Sequence, residues 1–90
     1  MNQIEAKTIQ KYICHELMNL RKNKNFKERD IALVLDIGIT DLLEIEKGKN
    51  STLPLPIYMQ LCDLYNIELE QVIYNAKKKL AIDRGYSYKD

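Results

Sequence analysis

The sequence predicts an all-α domain of five helices, and three observations support this fold class. Leucine, isoleucine, lysine and glutamate, which favour helices, are abundant along the chain. Helix breakers are scarce: the 90 residues include three glycines and two prolines, and both prolines fall in one short connector. Apolar residues recur at intervals of three and four, the spacing that places them on one face of a helix.

The first predicted helix covers residues 5–24. Its apolar residues follow steps of four, four and three and form one stripe: Ile9, Ile13, Leu17 and Leu20. The segment KNKN at 22–25 ends the helix, because asparagine favours caps and turns. Phe26, the only phenylalanine of the chain, is expected to enter the core where the next element begins.

Two short helices follow, joined by a tight turn at 36–38. The second helix, at 28–35, directs three side chains inward: Ile31, Ala32 and Leu35. The third helix, at 39–47, stops at Gly48, since glycine readily adopts the left-handed conformation that ends many helices. The inward residues of the third helix are Leu42 and Ile45. Two short helices joined in this way predict a helix-turn-helix at 28–47.

The last two helices complete the core. The fourth begins near Pro54 or Pro56, where proline suits a first turn. Its inward residues are Tyr58, Leu61, Cys62 and Tyr65. The fifth begins near Glu68, whose charge favours a helix N-terminus. It bears an apolar stripe that runs past the natural end of a five-helix core: Leu69, Val72, Ile73, Ala76 and Leu80. The predicted domain is therefore 1–80, with an extended C-terminal helix, and 81–90 form a flexible tail.

The composition narrows the classes of function. Apolar residues make up 46% of the chain and charged residues 30%, as is usual for a folded soluble protein. No stretch is apolar enough to span a bilayer, and no secretory signal is visible at the N-terminus, so the expected location is the cytoplasm. The chain has no glycine-rich phosphate loop and no recognisable acid–base pair, which predicts that the protein is not an enzyme.

The two cysteines, Cys14 and Cys62, are expected to be small buried thiols, with a disulfide or a metal site as alternatives. His15 adjoins Cys14, but neighbouring helical residues point about 100° apart and no fourth ligand is evident. Neither a metal nor another cofactor is therefore predicted, and no small-molecule pocket is indicated.

Several short motifs keep the order and spacing of one known family over about two thirds of the chain. They are LRKNKNF at 20–26, Ile31-Ala32, LDIG at 35–38, IEKGKN at 45–50 and YNIELEQ at 65–71. The sequence resembles the Cro/CI-type helix-turn-helix family of phage repressors and their bacterial relatives. This resemblance implies a compact five-helix domain of the lambda-repressor-like DNA-binding type. Asp36 stands where the family usually has glycine, and the connector near 50–53 is one residue longer.

The resemblance also implies a structural ion pair. In this family the arginine that ends the first helix pairs with the glutamate near the end of the third, and these positions correspond to Arg21 and Glu46. The pair is expected to be buried and to fix how the two helices cross. Removing one partner would leave the other charge uncompensated, at a cost of roughly 3–5 kcal/mol.

The family's DNA-binding positions map onto eleven residues: Lys27, Glu28, Gly38, Ile39, Thr40, Asp41, Leu43, Glu44, Lys47, Lys49 and Asn50. Two features depart from the family's pattern. Lys27-Glu28 replaces the usual Ser-Gln pair, and Asp41 and Glu44 place negative charge on the helix that would face DNA. One carboxylate within about 6 Å of a phosphate costs roughly 1–3 kcal/mol at an effective dielectric of about 20 to 80.

Two hypotheses of function remain open. The first is a small sequence-specific transcriptional regulator of the repressor type that binds double-stranded DNA as a homodimer. A carboxylate can accept a hydrogen bond from cytosine, while lysines in the flanking segments supply affinity. The dimer contact is expected on the fifth helix, with packing in the core as the alternative, and its candidate residues are Val72, Ile73, Ala76 and Leu80.

The second hypothesis is a degenerate helix-turn-helix module that binds a protein partner, as a modulator, an antirepressor or an antitoxin-like protein. If Leu42 and Ile45 face the core, Ile39 and Leu43 lie on the outer surface of the third helix. Exposed apolar residues beside carboxylates suit a protein-binding face better than a phosphate-facing one. The simpler alternative is that Ile39 or Leu43 packs against the edge of the core.

Overall fold

Five α-helices account for most of the chain in the computed structural model, which describes residues 1–50 and 52–85. They are α1 (Gln3–Asn23), α2 (Glu28–Leu35), α3 (Ile39–Glu46), α4 (Leu55–Leu64) and α5 (Leu69–Asp83). No strand occurs within the two described ranges. The all-α class and the number and order of the helices are therefore as the sequence predicts.

Asparagines mark both ends of α1. Asn2 Oδ1 accepts a hydrogen bond from the Glu5 N–H at 2.8 Å, so the helix begins at Gln3, slightly before the predicted start. The helix ends at Asn23, and Asn25 follows with a left-handed φ of 59°. The KNKN segment thus ends the first helix, as its composition predicts.

The turn between α2 and α3 depends on Asp36. This residue has a left-handed φ of 56°, and the next N–H, that of Ile37, donates to the Ala32 carbonyl at 3.0 Å. Gly38 has an extended backbone, with φ −75°, and directly precedes α3. The left-handed position is therefore filled by aspartate, a residue that tolerates this conformation better than most.

Asp36→Gly is expected to raise the free energy of unfolding by roughly 0.5–1 kcal/mol, because glycine adopts the left-handed conformation without a Cβ penalty. Asp30→Gly is the matched control: Asp30 lies inside α2, where glycine is unfavourable, so this variant should lose stability. Urea unfolding followed by circular dichroism compares the two. An Asp36→Gly protein less stable than the parent would refute the expected gain.

One hydrophobic core lies where α1 meets the other helices. α1 packs along α5 and also contacts α3, while α4 packs on α5. The most deeply buried side chains are Cys14, Leu17, Ala32, Leu42, Leu61, Tyr65, Val72 and Ala76. Ile45 is also buried, so both predicted inward residues of α3 face the core. Cys14 and Cys62 are buried free thiols, as predicted, and burial raises the pKa of each.

Phe26 does not enter the core, contrary to prediction. The residue is 39% exposed, and its ring stacks on the buried ring of Tyr65 with 6.2 Å between the centroids. Its carbonyl accepts a hydrogen bond from Arg21 Nη1 at 2.9 Å, which holds the backbone at the edge of the core. The phenylalanine ring therefore covers the core from outside.

The apolar stripe of α5 packs inside the chain's own core. Four residues were predicted as a dimer contact. Three of them are buried, namely Val72, Ala76 and Leu80, and Ile73 is half-buried. α1 covers this side of α5, and Lys79 Nζ lies 2.6 Å from Glu16 Oε2 across the contact. The stripe is thus packed in the core, which was the alternative to a dimer contact. Its buried residues offer no surface to a second copy.

The predicted boundary between domain and tail, at residue 80, is too early. α5 continues to Asp83, whose Oδ2 accepts a hydrogen bond from the Tyr12 hydroxyl at 2.5 Å. This bond attaches the last turn of α5 to α1, so 81–83 belong to the helical domain. The end of the predicted tail, 86–90, lies outside the described residues.

Candidate functional site

A buried ion pair holds α3 from behind. Arg21 Nε donates to Glu46 Oε2 at 2.7 Å and Arg21 Nη2 donates to Glu46 Oε1 at 3.1 Å, and each side chain is only 5% exposed. This two-point contact confirms the expected pairing, and the hydrogen bond that Arg21 donates to Glu46 raises the pKa of the Arg21 guanidinium. Because Nη1 also donates to the Phe26 carbonyl, one guanidinium fixes both α3 and the α1–α2 connector.

The start of α3 is closed by a carboxylate of its own first turn. The Gly38 N–H donates to Asp41 Oδ2 at 3.3 Å. A negative charge at this end of the helix is also favoured by the helix dipole. Asp41 therefore has a structural partner in the turn, although its side chain is exposed.

The outer face of α3 is open to solvent at most positions. Ile39 is 46% exposed, and Thr40, Asp41 and Glu44 are exposed as well. Leu43 is half-buried, which places it nearer to the edge of the core than its expected position on the outer surface. An exposed isoleucine and two carboxylates therefore characterise this face.

Eight of the eleven predicted contact residues line three separate concavities around α3, and Gly38, Thr40 and Leu43 line none of the three. The first group, Lys27, Glu28 and Ile39, lines an open concavity of about 380 Å³ together with Arg29. Glu28 Oε1 lies 3.5 Å from Arg21 Nη2, which partly offsets its charge. Lys27 has no carboxylate partner in the part of the chain that the structure describes. The cation, rather than the carboxylate, is thus the uncompensated charge of this group.

The second group contains the two carboxylates of α3. Asp41 and Glu44 line a groove of about 310 Å³ together with Asn50. The other walls of this groove are mostly apolar and include Ile37, Leu53, Pro54 and Ile57. The two exposed carboxylates therefore line a different concavity from that of Lys27 and Ile39.

The third group contains Lys47 and Lys49, which flank Gly48 directly after α3. These lysines line an open concavity of about 390 Å³ together with Lys7 and Lys11 of α1. The two α1 lysines were not singled out in the sequence. Their spacing of four residues, which places both on one face of a helix, was the available signal.

Gln10 fixes the loop that carries this third group. Its side-chain amide donates to the Asn50 carbonyl at 3.3 Å and to the Tyr58 hydroxyl at 2.7 Å. Burial raises the pKa of Tyr58 to about 12, so its hydroxyl is neutral at physiological pH. One glutamine thus joins α1, the α3–α4 connector and α4, and Asn50 takes part through its backbone.

Two features are absent from residues 1–50 and 52–85. Histidine, cysteine and carboxylate side chains form no metal-binding group there, and no helix in these ranges could cross a membrane. The sequence matches no model of a known protein family, and a search of curated proteins finds no similar protein.

Proposed function

We propose that the protein is a small sequence-specific DNA-binding transcriptional regulator, with a Cro/CI-type helix-turn-helix in a lambda-repressor-like domain, and that it acts as a dimeric repressor. One observation carries the proposal. The outer face of α3 is exposed and held rigidly by the Arg21–Glu46 pair, and uncompensated lysines lie at both of its ends: Lys27 before it and Lys47 and Lys49 after it.

The acidic residues on this face and at the start of α2 are compatible with DNA binding for two reasons. Asp41 is engaged by the Gly38 N–H, and Glu28 lies near the Arg21 guanidinium, so two of the three carboxylates have local partners. The third, Glu44, is exposed and can accept a hydrogen bond from the N4 amino group of cytosine in the major groove. The lysines then supply affinity through phosphates, while α3 contributes base discrimination.

The direct test is a titration of a fluorescently labelled duplex of random sequence at about 50 mM salt, read by anisotropy. Binding should weaken steeply as salt increases, because each neutralised phosphate releases counterions and contributes about −0.9 to the slope of log K against log salt. Absence of binding at low salt would reject the proposal.

Asp41→Asn combined with Glu44→Gln is expected to strengthen binding to random duplex about tenfold, because two charges that repel phosphate are removed. Asparagine can still accept the Gly38 N–H, so the start of α3 is preserved. Asp63→Asn with Glu70→Gln is the charge-matched control, since those carboxylates line a separate concavity between α4 and α5. Equal gains in both variants would indicate a net-charge effect and no phosphate near α3.

Two copies are expected on an operator, because a single module of this size contacts few base pairs and a two-fold pair spans neighbouring major grooves. The contact between copies should lie outside the buried stripe of α5. Sedimentation of the protein alone and with a palindromic duplex measures the stoichiometry. One protein chain per high-affinity duplex would contradict the dimer.

A second candidate function is binding of a protein partner, and exposed apolar side chains favour it. Leu33 is 79% exposed and Val34 58% exposed on α2, in addition to Ile39 on α3. Large exposed apolar residues often mark protein-binding surfaces. The duplex titration separates the two candidates, because a protein-binding module would leave random and operator DNA unbound at low salt.

A further inference from the structure

We infer that Lys7 and Lys11 of α1, with Lys47 and Lys49 of the α3–α4 connector, form one phosphate-binding site that contacts the backbone of duplex DNA. This inference rests on the proposed function and extends it, because it adds α1 to a contact surface otherwise formed by α2, α3 and the connector.

The charge of the concavity is the first argument. Its lining consists of the four lysines, Gln10 and Gly48, without any carboxylate. None of the four lysines forms an ion pair with a carboxylate in the described ranges. Four like charges around one open concavity repel one another, and an anion bound among them would relieve that repulsion. The site is thus complementary to a ligand with several negative oxygens.

Gly48 brings the two pairs of lysines together. Its φ is 72°, and a Cβ atom at this position would lie 2.9 Å from Lys11 Cγ and 3.1 Å from Lys11 Cα. Any side chain here would therefore push the connector away from α1. The glycine that ends α3 also permits the close approach on which the concavity depends.

Gln10 keeps the connector in this position without adding charge. Its hydrogen bonds to the Asn50 carbonyl and to the buried Tyr58 hydroxyl attach the connector to α1 and α4. Because these bonds hold the connector beside Lys47 and Lys49, we expect binding of a ligand there to cost less conformational entropy.

The chemistry of the lining points to phosphate rather than to base edges. Lysine ammonium groups act as point charges and lack the planar fork that reads carboxylate or guanine geometry. Such groups bind phosphates with little sequence preference. A site of this kind adjoining α3 would supply affinity that the acidic outer face of α3 does not.

Lys7→Gln combined with Lys11→Gln tests the inference, and Lys77→Gln with Arg84→Gln is the control with the same change in net charge. The control residues lie on α5 or at its end, and neither lines the concavity. Each protein is titrated with random duplex at several salt concentrations. The first variant should bind about tenfold more weakly at low salt, with a slope reduced by about 1.8, whereas the control should match the parent.

A parallel titration with inorganic pyrophosphate, followed by amide-resolved NMR, separates failure of the inference from failure of the proposed function. If the parent binds duplex and Lys7→Gln/Lys11→Gln binds equally well, the inference is overturned and the function stands. If the parent binds no duplex, the function fails. Pyrophosphate shifts at Gly48 and Lys11 that the double variant abolishes would then support a phosphate site for a free ligand, and no shifts would reject the site as well.

Discussion

Glu46→Ala is expected to lower the free energy of unfolding by roughly 3–5 kcal/mol, the cost of leaving one member of a buried ion pair without its partner. Arg21 would keep its charge in a position where its side chain is 5% exposed, with Glu28 at 3.5 Å as the remaining carboxylate nearby. In a domain of this size each kcal/mol corresponds to about 4–8 °C in Tm. Thermal and urea unfolding should both show the loss.

Glu44→Ala is the matched control, because Glu44 lies on the same helix but is exposed, and its removal should change stability by less than about 0.5 kcal/mol. Arg21→Met combined with Glu46→Leu should recover much of the loss, since an apolar pair needs no charge compensation. A Glu46→Ala protein within about 1 kcal/mol of the parent would show that the pair does not fix α3.

Lys47→Glu combined with Lys49→Glu is expected to weaken duplex binding about 100-fold at low salt, because two phosphate contacts become repulsive. The loss should be the same for every sequence, since phosphate contacts carry no base information. Both lysines are exposed, so the fold should be retained. Anisotropy titrations with random and selected duplexes measure the effect.

Lys77→Glu with Arg84→Glu provides the same charge reversal on α5 and should cause a much smaller loss. A loss confined to one selected sequence would place Lys47 or Lys49 at base edges instead of phosphates. An unchanged affinity would remove the α3–α4 connector from the DNA-binding surface. Substitutions at Lys47 and at Asp41 should change duplex affinity in opposite directions, whereas a loss of overall stability would lower the affinity in both cases.

Local sequence signals were sufficient to predict the helices and the ion pair that holds α3. Apolar spacing identified Leu42 and Ile45 as inward residues, and the motif pattern identified the contact between Arg21 and Glu46 across 25 residues of chain. These features repeat with the period of a helix or occupy fixed positions in a motif. A single sequence can therefore reveal them before any tertiary contact is known.

The features that the sequence did not reveal depend on contacts between segments that are distant along the chain. The apolar stripe of α5 showed that this face is covered, but periodicity does not say whether α1 or a second copy covers it. Lys11 and Gly48 are distant in sequence, and they lie close together only because the connector passes next to α1 in the folded chain. Phe26 stays at the edge of the core because Arg21 holds its carbonyl, a constraint that hydrophobicity does not encode.

The most direct measurement is an amide-resolved NMR titration of the parent protein with a short duplex at low salt. The proposed orientation predicts the largest shifts at Lys27, Ile39 and Thr40 and around Lys47, with little change along 63–70 at the far end of α4 and the start of α5. Shifts concentrated at 63–70, or no shifts in any part of the protein, would contradict DNA binding through the outer face of α3.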